Sequence, residues 1–326
     1  MINVTLGIDI GGTNTVFGIV DEKGNLIFKD EIPTNGMQPA DKLFERLFDK
    51  FQNVFADYSN KYNLVGIGIG APDANYYTGA IENPPNLNWG YVDVTSVVKS
   101  YYDVPFALTN DANAAAIGEM EFGSASGMKN FVEITLGTGL GSGIVVDGKL
   151  LYGHSGAAGE LGHINIVKDG RKCACGKKGC LETYVSAPGI KRTTFELLAT
   201  SRDDSSLRDI SFNNLTAKEI YYAAKSGDKV AINAFKYTGK LLGEALADAV
   251  AILSPQAIVI FGGLAQAGEI LFAPTRKSME SNLLYAYKGK IKLIKSGLSE
   301  GDAAILGASA LIWQELAFIV KKEKEA

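Results

Sequence analysis

The feature that most constrains this chain is a layout written twice. Val4 to Val20 reads as the strand TLGIDI, a glycine turn at Gly11-Gly12-Thr13-Asn14 and the strand TVFGIV; a second turn through Asp21 to Asn25 leads into a third strand, LIFKDEI. Ile134 to Leu150, ITLGTGLGSGIVVDGKL, again runs strand, glycine turn, strand and Asp-Gly turn. Gly11 to Asp21 and Gly137 to Asp147 span the same distance, and Ile19-Val20-Asp21 is answered by Val145-Val146-Asp147. Hairpins need glycine in any case, so the matched spacing carries the argument. It predicts two related halves facing each other across a cleft, each offering the backbone N–H groups of a glycine turn to a phosphate chain.

Between and after the hairpins the chain alternates helices with apolar strands, which predicts an α/β architecture. Leu43, Phe44, Leu47, Phe48, Phe51 and Phe55 recur at helical spacing within Gln38 to Tyr58. Leu64 to Gly70 is a buried strand. Its run Gly66-Ile67-Gly68-Ile69-Gly70-Ala71 fits a dinucleotide fingerprint formally, but Pro72-Asp73 stands where the helix would have to begin, so a Rossmann site is rejected. Thr216 and Glu219 form a capping box, Lys229 to Leu253 a long helix stopped before Pro255, and Ala257 to Phe261 a buried strand running into Gly262-Gly263. Glycines directly after a buried strand let a flat ring lie on the backbone, which assigns Gly262 and Gly263 to the adenine side of a nucleotide.

Several side chains have two readings. Asp9 is a carboxylate inside an apolar strand, either a turn residue or a group beside a phosphate site. Asn110 and Asp111 stand where a strand ending at Thr109 meets an alanine-rich helix; they either cap that helix or hold a carboxylate able to take a proton from a hydroxyl. The loop Asn83-Pro84-Pro85-Asn86-Leu87-Asn88-Trp89 either lines a hydroxyl-rich ligand or connects two elements at the surface.

The stretch Gly159 to Glu182 holds all three cysteines and one of two histidines. Cys173, Cys175 and Cys180 lie within eight residues, ten residues after His163, a spacing that can close a tetrahedron of three thiolates and one imidazole. Sulfur donors select zinc over magnesium or calcium, and Gly176 and Gly179 permit tight turns between ligands. The competing reading, thiols buried as small hydrophobes, sits badly with neighbours Arg171, Lys172, Lys177 and Lys178. Glu160 and Glu182, which zinc does not need, are either solvated or held by the stiffened loop to bind hydroxyls.

The run Glu160-Leu161-Gly162-His163, followed by Cys173-Ala174-Cys175-Gly176-Lys177-Lys178-Gly179-Cys180-Leu181-Glu182, resembles the signature of the ROK family (repressors, open reading frames and sugar kinases), and the order of elements resembles the actin-like ATPase fold of the sugar kinases. The resemblance implies a small N-terminal domain over about 1–115, completed by the last helix over about 302–326, and a large domain over 116–301. It implies ATP, Mg²⁺ and a structural Zn²⁺ as cofactors and a hexose as substrate, with Asp111 as catalytic base and the phosphate hairpins 11–14 and 137–139 (Gly137, Thr138, Gly139) around ATP. Asp9 would hold Mg²⁺ through water. Asn110, Glu160, His163 and Glu182, with Asn83 and Asn86 as further candidates, would fix the sugar, and His163 would serve zinc with one ring nitrogen and a sugar hydroxyl with the other. The wording of CACGKKGCLETYVSAPGI is most similar to the glucokinases of that family. Mannose, fructose, allose and N-acetylated hexosamines stay open as alternative substrates, as does a sugar-responsive regulator without catalysis. With the first strand beginning by Val4, no DNA-binding domain is expected ahead of it. With a net charge of −4 and no basic patch, no nucleic-acid partner is expected. No signal peptide is expected from MINVTLGIDI, and the apolar stretch Ala303 to Val320, interrupted by Gln314 and Glu315, is read as too polar to span a bilayer. A cytoplasmic enzyme with reduced thiols is expected, and the resemblance implies a homodimer or homotetramer.

Overall fold

The computed structural model describes residues 1–84, 87–299 and 301–325. Asn86, one of the sugar-binding candidates, lies outside them. The chain divides into two compact units, one of Met1–Gly127, Leu150–Ala158 and Gly297–Ala326, the other of Met128–Lys149 and Gly159–Ser296.

In the first unit the expected hairpin is β1 (Ile2–Ile10) and β2 (Asn14–Asp21), extended by β3 (Leu26–Pro33). Then follow α1 (Ala40–Ala56), β4 (Tyr62–Ala71), the short strands β5 (Ala74–Asn75), β6 (Ala80–Glu82) and β7 (Tyr91–Asp93), α2 (Val94–Tyr101), β8 (Phe106–Asn110) and α3 (Asp111–Phe122). The main sheet has the order β3-β2-β1-β4-β8, antiparallel through the hairpins and parallel from β1 onward. The apolar stripe of α1, Leu43, Phe44, Leu47, Phe48 and Phe51, is fully buried against one face, each side chain contributing about 1.5–3 kcal/mol.

The second unit repeats the plan with β9 (Phe131–Leu136), β10 (Leu140–Val146), β11 (Lys149–Leu150), α4 (Glu182–Val185), α5 (Ala187–Thr200), α6 (Ala217–Lys225), α7 (Lys229–Leu253), β12 (Ala257–Phe261), α8 (Glu269–Asn282) and β13 (Lys292–Lys295). Its sheet, β11-β10-β9-β12-β13, also has an antiparallel hairpin followed by two parallel strands. The capping box on α6 forms in full: Thr216 Oγ1 accepts from the Glu219 N–H, and the Glu219 carboxylate accepts from the Thr216 N–H.

The chain returns to the first unit as α9 (Ala303–Glu325). This helix explains the glycines of the central strands. A Cβ on Gly7 would strike the carbonyl of Ile305, and one on Gly68 the carbonyl of Ala308. The Gly66-Ile67-Gly68 alternation is therefore a seat for a helix, which agrees with rejecting a dinucleotide site there. The expectation that Ala303 to Val320 is too polar to span a membrane needs correction: by length and composition the helix qualifies. Its burial is that of a core helix over the first half, with Ala303, Ile305, Ala308, Leu311 and Ile312 enclosed by the sheet. α3 packs along α9 and belongs to the same compact unit.

Candidate functional site

Each unit carries a group of candidate residues at the open end of its sheet, where parallel strands present ligand sites at their C-terminal ends. In the first unit Asp9 stands opposite Gly70 in the β1–β4 register, and Gly70 stands opposite Thr109, next to Asn110. A Cβ on Gly70 would lie 3.6 Å from Asp9 Oδ1 and 3.7 Å from the Asp111 Cα. This missing side chain brings the two carboxylates to one spot. Lost hydration, and then the Asp111 charge, push the Asp9 carboxyl up to about 7. Lost hydration likewise raises Asp111, opposed by hydrogen bonds from backbone N–H groups, although the side chain stays accessible to a small ligand. No cation pairs with either among the described residues. Two carboxylates at one spot are a donor set that suits a hard divalent cation.

Asn110 does what a capping residue does: its Oδ1 accepts from the Ala112 N–H at 2.9 Å. Asp111 Oδ1 accepts from the same N–H at 2.8 Å. The Gly11–Asn14 turn is closed by the Gly11 N–H donating to Asn14 O, and Gly12, Thr13 and Asn14 are exposed. Thr34, which the sequence reading missed, braces this turn: its Oγ1 donates to Gly11 O at 2.7 Å and its N–H to Thr13 O at 2.8 Å. A threonine one residue past a strand leaves no signal of that role in sequence. Asn83 is exposed, in a left-handed conformation, at the start of its loop.

In the second unit the Gly137–Gly139 turn is closed by the Gly137 N–H donating to Gly139 O, and Thr138 is exposed. Glu182 meets this turn: its Oε2 accepts from the Leu140 N–H at 3.0 Å, and a Cβ on Gly139 would lie 2.6 Å from that oxygen. Gly262 is buried with φ of 94°, its Cα packed on the Leu136 backbone, while Gly263 is exposed. Of the proposed adenine platform, Gly263 is thus the part open to a ligand.

The cysteine loop closes as the spacing requires. The ligand atoms of His163, Cys173, Cys175 and Cys180 all lie within 4.8 Å of one another. Cys175 Sγ and Cys180 Sγ are 3.6 Å apart, and Cys173 Sγ is 3.7 Å from His163 Nδ1. A zinc tetrahedron with Zn–S near 2.3 Å has S–S edges of about 3.8 Å, so four donors fit that ion. Gly176 and Gly179 take the left-handed turns, with φ of 88° and 76°. Burial pushes the Cys173 thiol up to about 12, and backbone donation from Lys177 lowers that of Cys175. The other ring nitrogen, His163 Nε2, is 3.9 Å from Glu160 Oε2, and the Glu160 side chain is largely exposed.

Of the four basic neighbours expected to keep this loop out of the protein interior, Arg171 does not. It is buried, donates to both Glu196 oxygens at 3.2 and 2.5 Å, and also bonds Thr183 O, Gly189 O and Thr193 Oγ1. A satisfied guanidinium can be buried where an unpaired one cannot. Arg171 pins the cysteine loop to α5, and the case for a metal rests on the donor geometry.

The ROK family model matches residues 5–315. The chain belongs to the ROK family. Among ROK relatives, the glucokinase of Halalkalibacterium halodurans is 34% identical over 316 residues, covering 95% of each chain. The ROK family glucokinase of Streptomyces griseus, solved with glucose and AMPPNP, superposes with a TM-score of 0.79 at 32% identity over 95% of this chain and 99% of that one. A ROK family transcriptional regulator, a homologue of the E. coli MLC protein, superposes with a TM-score of 0.86 at 28% identity over 96% of this chain and 78% of that one. Membership brings with it the actin-like ATPase fold seen in the paired sheets.

Proposed function

We propose that this protein is an ATP-dependent sugar kinase, a glucokinase that converts glucose to glucose 6-phosphate. The observation that carries the reading is Asp111, a carboxylate open to a ligand at a strand–helix junction beside Asp9, in a chain that matches glucokinases over nearly its whole length. The primary hydroxyl oxygen of the sugar forms a bond to the γ-phosphorus, the β–γ bridging bond breaks, ADP leaves with the bridging oxygen, and Asp111 takes the hydroxyl proton. Asp9 would hold Mg²⁺ through water; the ion, when bound, offsets negative charge on the phosphates. The turns Gly11–Asn14 and Gly137–Gly139 direct N–H groups at phosphate oxygens, and Gly263 with Gly262 supports the adenine. Asn110, Glu160, His163 and Glu182 fix the sugar, with Asn83 and Asn86 in support. Three cysteines and Nδ1 of His163 would hold a structural zinc, which would leave Nε2 for a hydroxyl. Reduced thiols of this kind fit a cytoplasmic location. The two compact units are taken as the two kinase domains, and the family resemblance supports a homodimer or homotetramer.

The likeness to a transcriptional regulator supports a second reading, a sugar sensor without catalysis. The deciding experiment is ADP release with Mg-ATP against glucose, mannose, fructose, allose, N-acetylglucosamine and N-acetylmannosamine, with Asp111→Asn as control. Turnover greatest with glucose and lost in the variant is expected. Turnover greatest with another sugar would replace the glucose assignment, and sugar binding without turnover on any of them would favour the sensor.

A further inference from the structure

The helix that carries Asp111 at its start ends in a joint. The chain leaves the first unit after Gly127 and re-enters it for the last time at Gly297. Glu119, buried at 1% exposure, lies two turns along α3, about 12 Å from Asp111 at 1.5 Å per residue. Its Oε2 accepts from the Ser124 N–H at 2.7 Å and from the Gly297 N–H at 3.3 Å. One oxygen therefore holds the segment on its way out and the segment on its way back. The glycines around it leave no slack: a Cβ on Gly123 would collide with the Glu119 carboxylate, and one on Gly297 would stand 2.8 Å from the Ser124 nitrogen. One residue earlier, a Cβ on Gly118 would lie 3.0 Å from the Gly307 Cα, which locks the same stretch of α3 to α9.

We propose that Glu119 is a positioning residue: by binding Ser124 and Gly297 with one carboxylate oxygen it fixes both linking segments to the end of α3 and so holds Asp111, at the start of that helix, in place. Hydrogen bonds of a carboxylate to backbone N–H groups are among the stronger ones, and Glu119 and Asp111 share one continuous 12-residue helix. The inference rests on Asp111 being the base.

Two measurements separate the clamp from the kinase reading. Glu119→Ala is expected to lower kcat about tenfold with sugar and Mg-ATP KM values within threefold of the parent. Glu119→Gln, whose amide oxygen can accept both N–H groups, should restore most of the loss. Amide hydrogen exchange on the full chain should quicken at 123–127 and 297–299 and at the first turn of α3, and not elsewhere in the unit. Gly297→Ala, which forces the two segments apart with Glu119 intact, should give the same pattern if Glu119→Ala does not fold. Unchanged kcat per folded molecule, or exchange raised evenly through the unit, would overturn the proposal. Should the parent chain phosphorylate no sugar, the kinase reading fails and the positioning role with it, while the exchange pattern still decides whether Glu119 clamps the two segments.

Discussion

The two glycine hairpins share a backbone plan and differ in what braces them. In the first unit the turn is held by a neutral hydroxyl, Thr34, and the nearby charge is Asp9, inside β1 itself. In the second unit the residue in the corresponding place, two before the first glycine, is Thr135, and the charge arrives from Glu182, in the cysteine loop. Duplication of a sheet thus repeated the N–H groups and left the carboxylates to be placed separately. A carboxylate in a central strand loses water and gains a proton affinity that a cation can displace. Glu182 is half-buried and stands two residues after Cys180, so a metal held by the cysteines would set its position.

That contrast can be broken in order of size. Asp111→Asn should reduce kcat about 10³-fold in a folded protein that still binds sugar, since it removes the proton acceptor; a loss under tenfold would take the base role from Asp111. Stripping the metal with a chelator, or Cys175→Ser, should lower the melting temperature by roughly 5–10 °C and abolish sugar binding, because the loop carrying His163 and Glu182 loses its anchor. Unchanged sugar affinity after metal removal would separate the loop from the sugar site. Glu182→Gln and Thr34→Val then test the two braces against each other. The first is expected to cost about 10–100-fold in kcat/KM for sugar, and the second about fivefold in KM for Mg-ATP with the sugar constant untouched, the scale of one neutral hydrogen bond. Equal effects on both substrates would mean that the braces are interchangeable.

The smallest effect is on the stability of the metal-free protein. In the folded chain the Asp9 carboxyl titrates near 7 against an ordinary 3.8, so the folded state holds the proton more tightly than the unfolded one. Stability from this group is therefore fully present below about pH 4 and declines as pH rises toward 7. Asp9→Asn should flatten the change in melting temperature between pH 5 and pH 8 and raise stability at pH 8 by about 1–2 kcal/mol; an unchanged slope would exclude Asp9 as its source. The raised Asp111 carboxyl should set the acid limb of kcat/KM above the ordinary carboxylate range.

Much was legible before any coordinates. The paired hairpins, the helix of phenylalanines over Ala40–Ala56, the capping box at Thr216 and the donor set His163, Cys173, Cys175 and Cys180 were all readable. Each depends on spacing within a few residues, and local spacing is what a linear chain records: the period of a helix, the reach of a cap, the edge of a tetrahedron. Other features came from contacts across the chain. Glu182 meets Leu140 over 42 residues, Arg171 reaches Glu196 over 25, and Glu119 reaches Gly297 over 178. The glycines of β1 and β4 acquired their meaning only when α9, some 300 and 240 residues later, came to rest on them. The raised carboxyls of Asp9 and Asp111 belong here as well. Hydration is lost to the surroundings of a side chain, and those surroundings exist only once distant strands have come together.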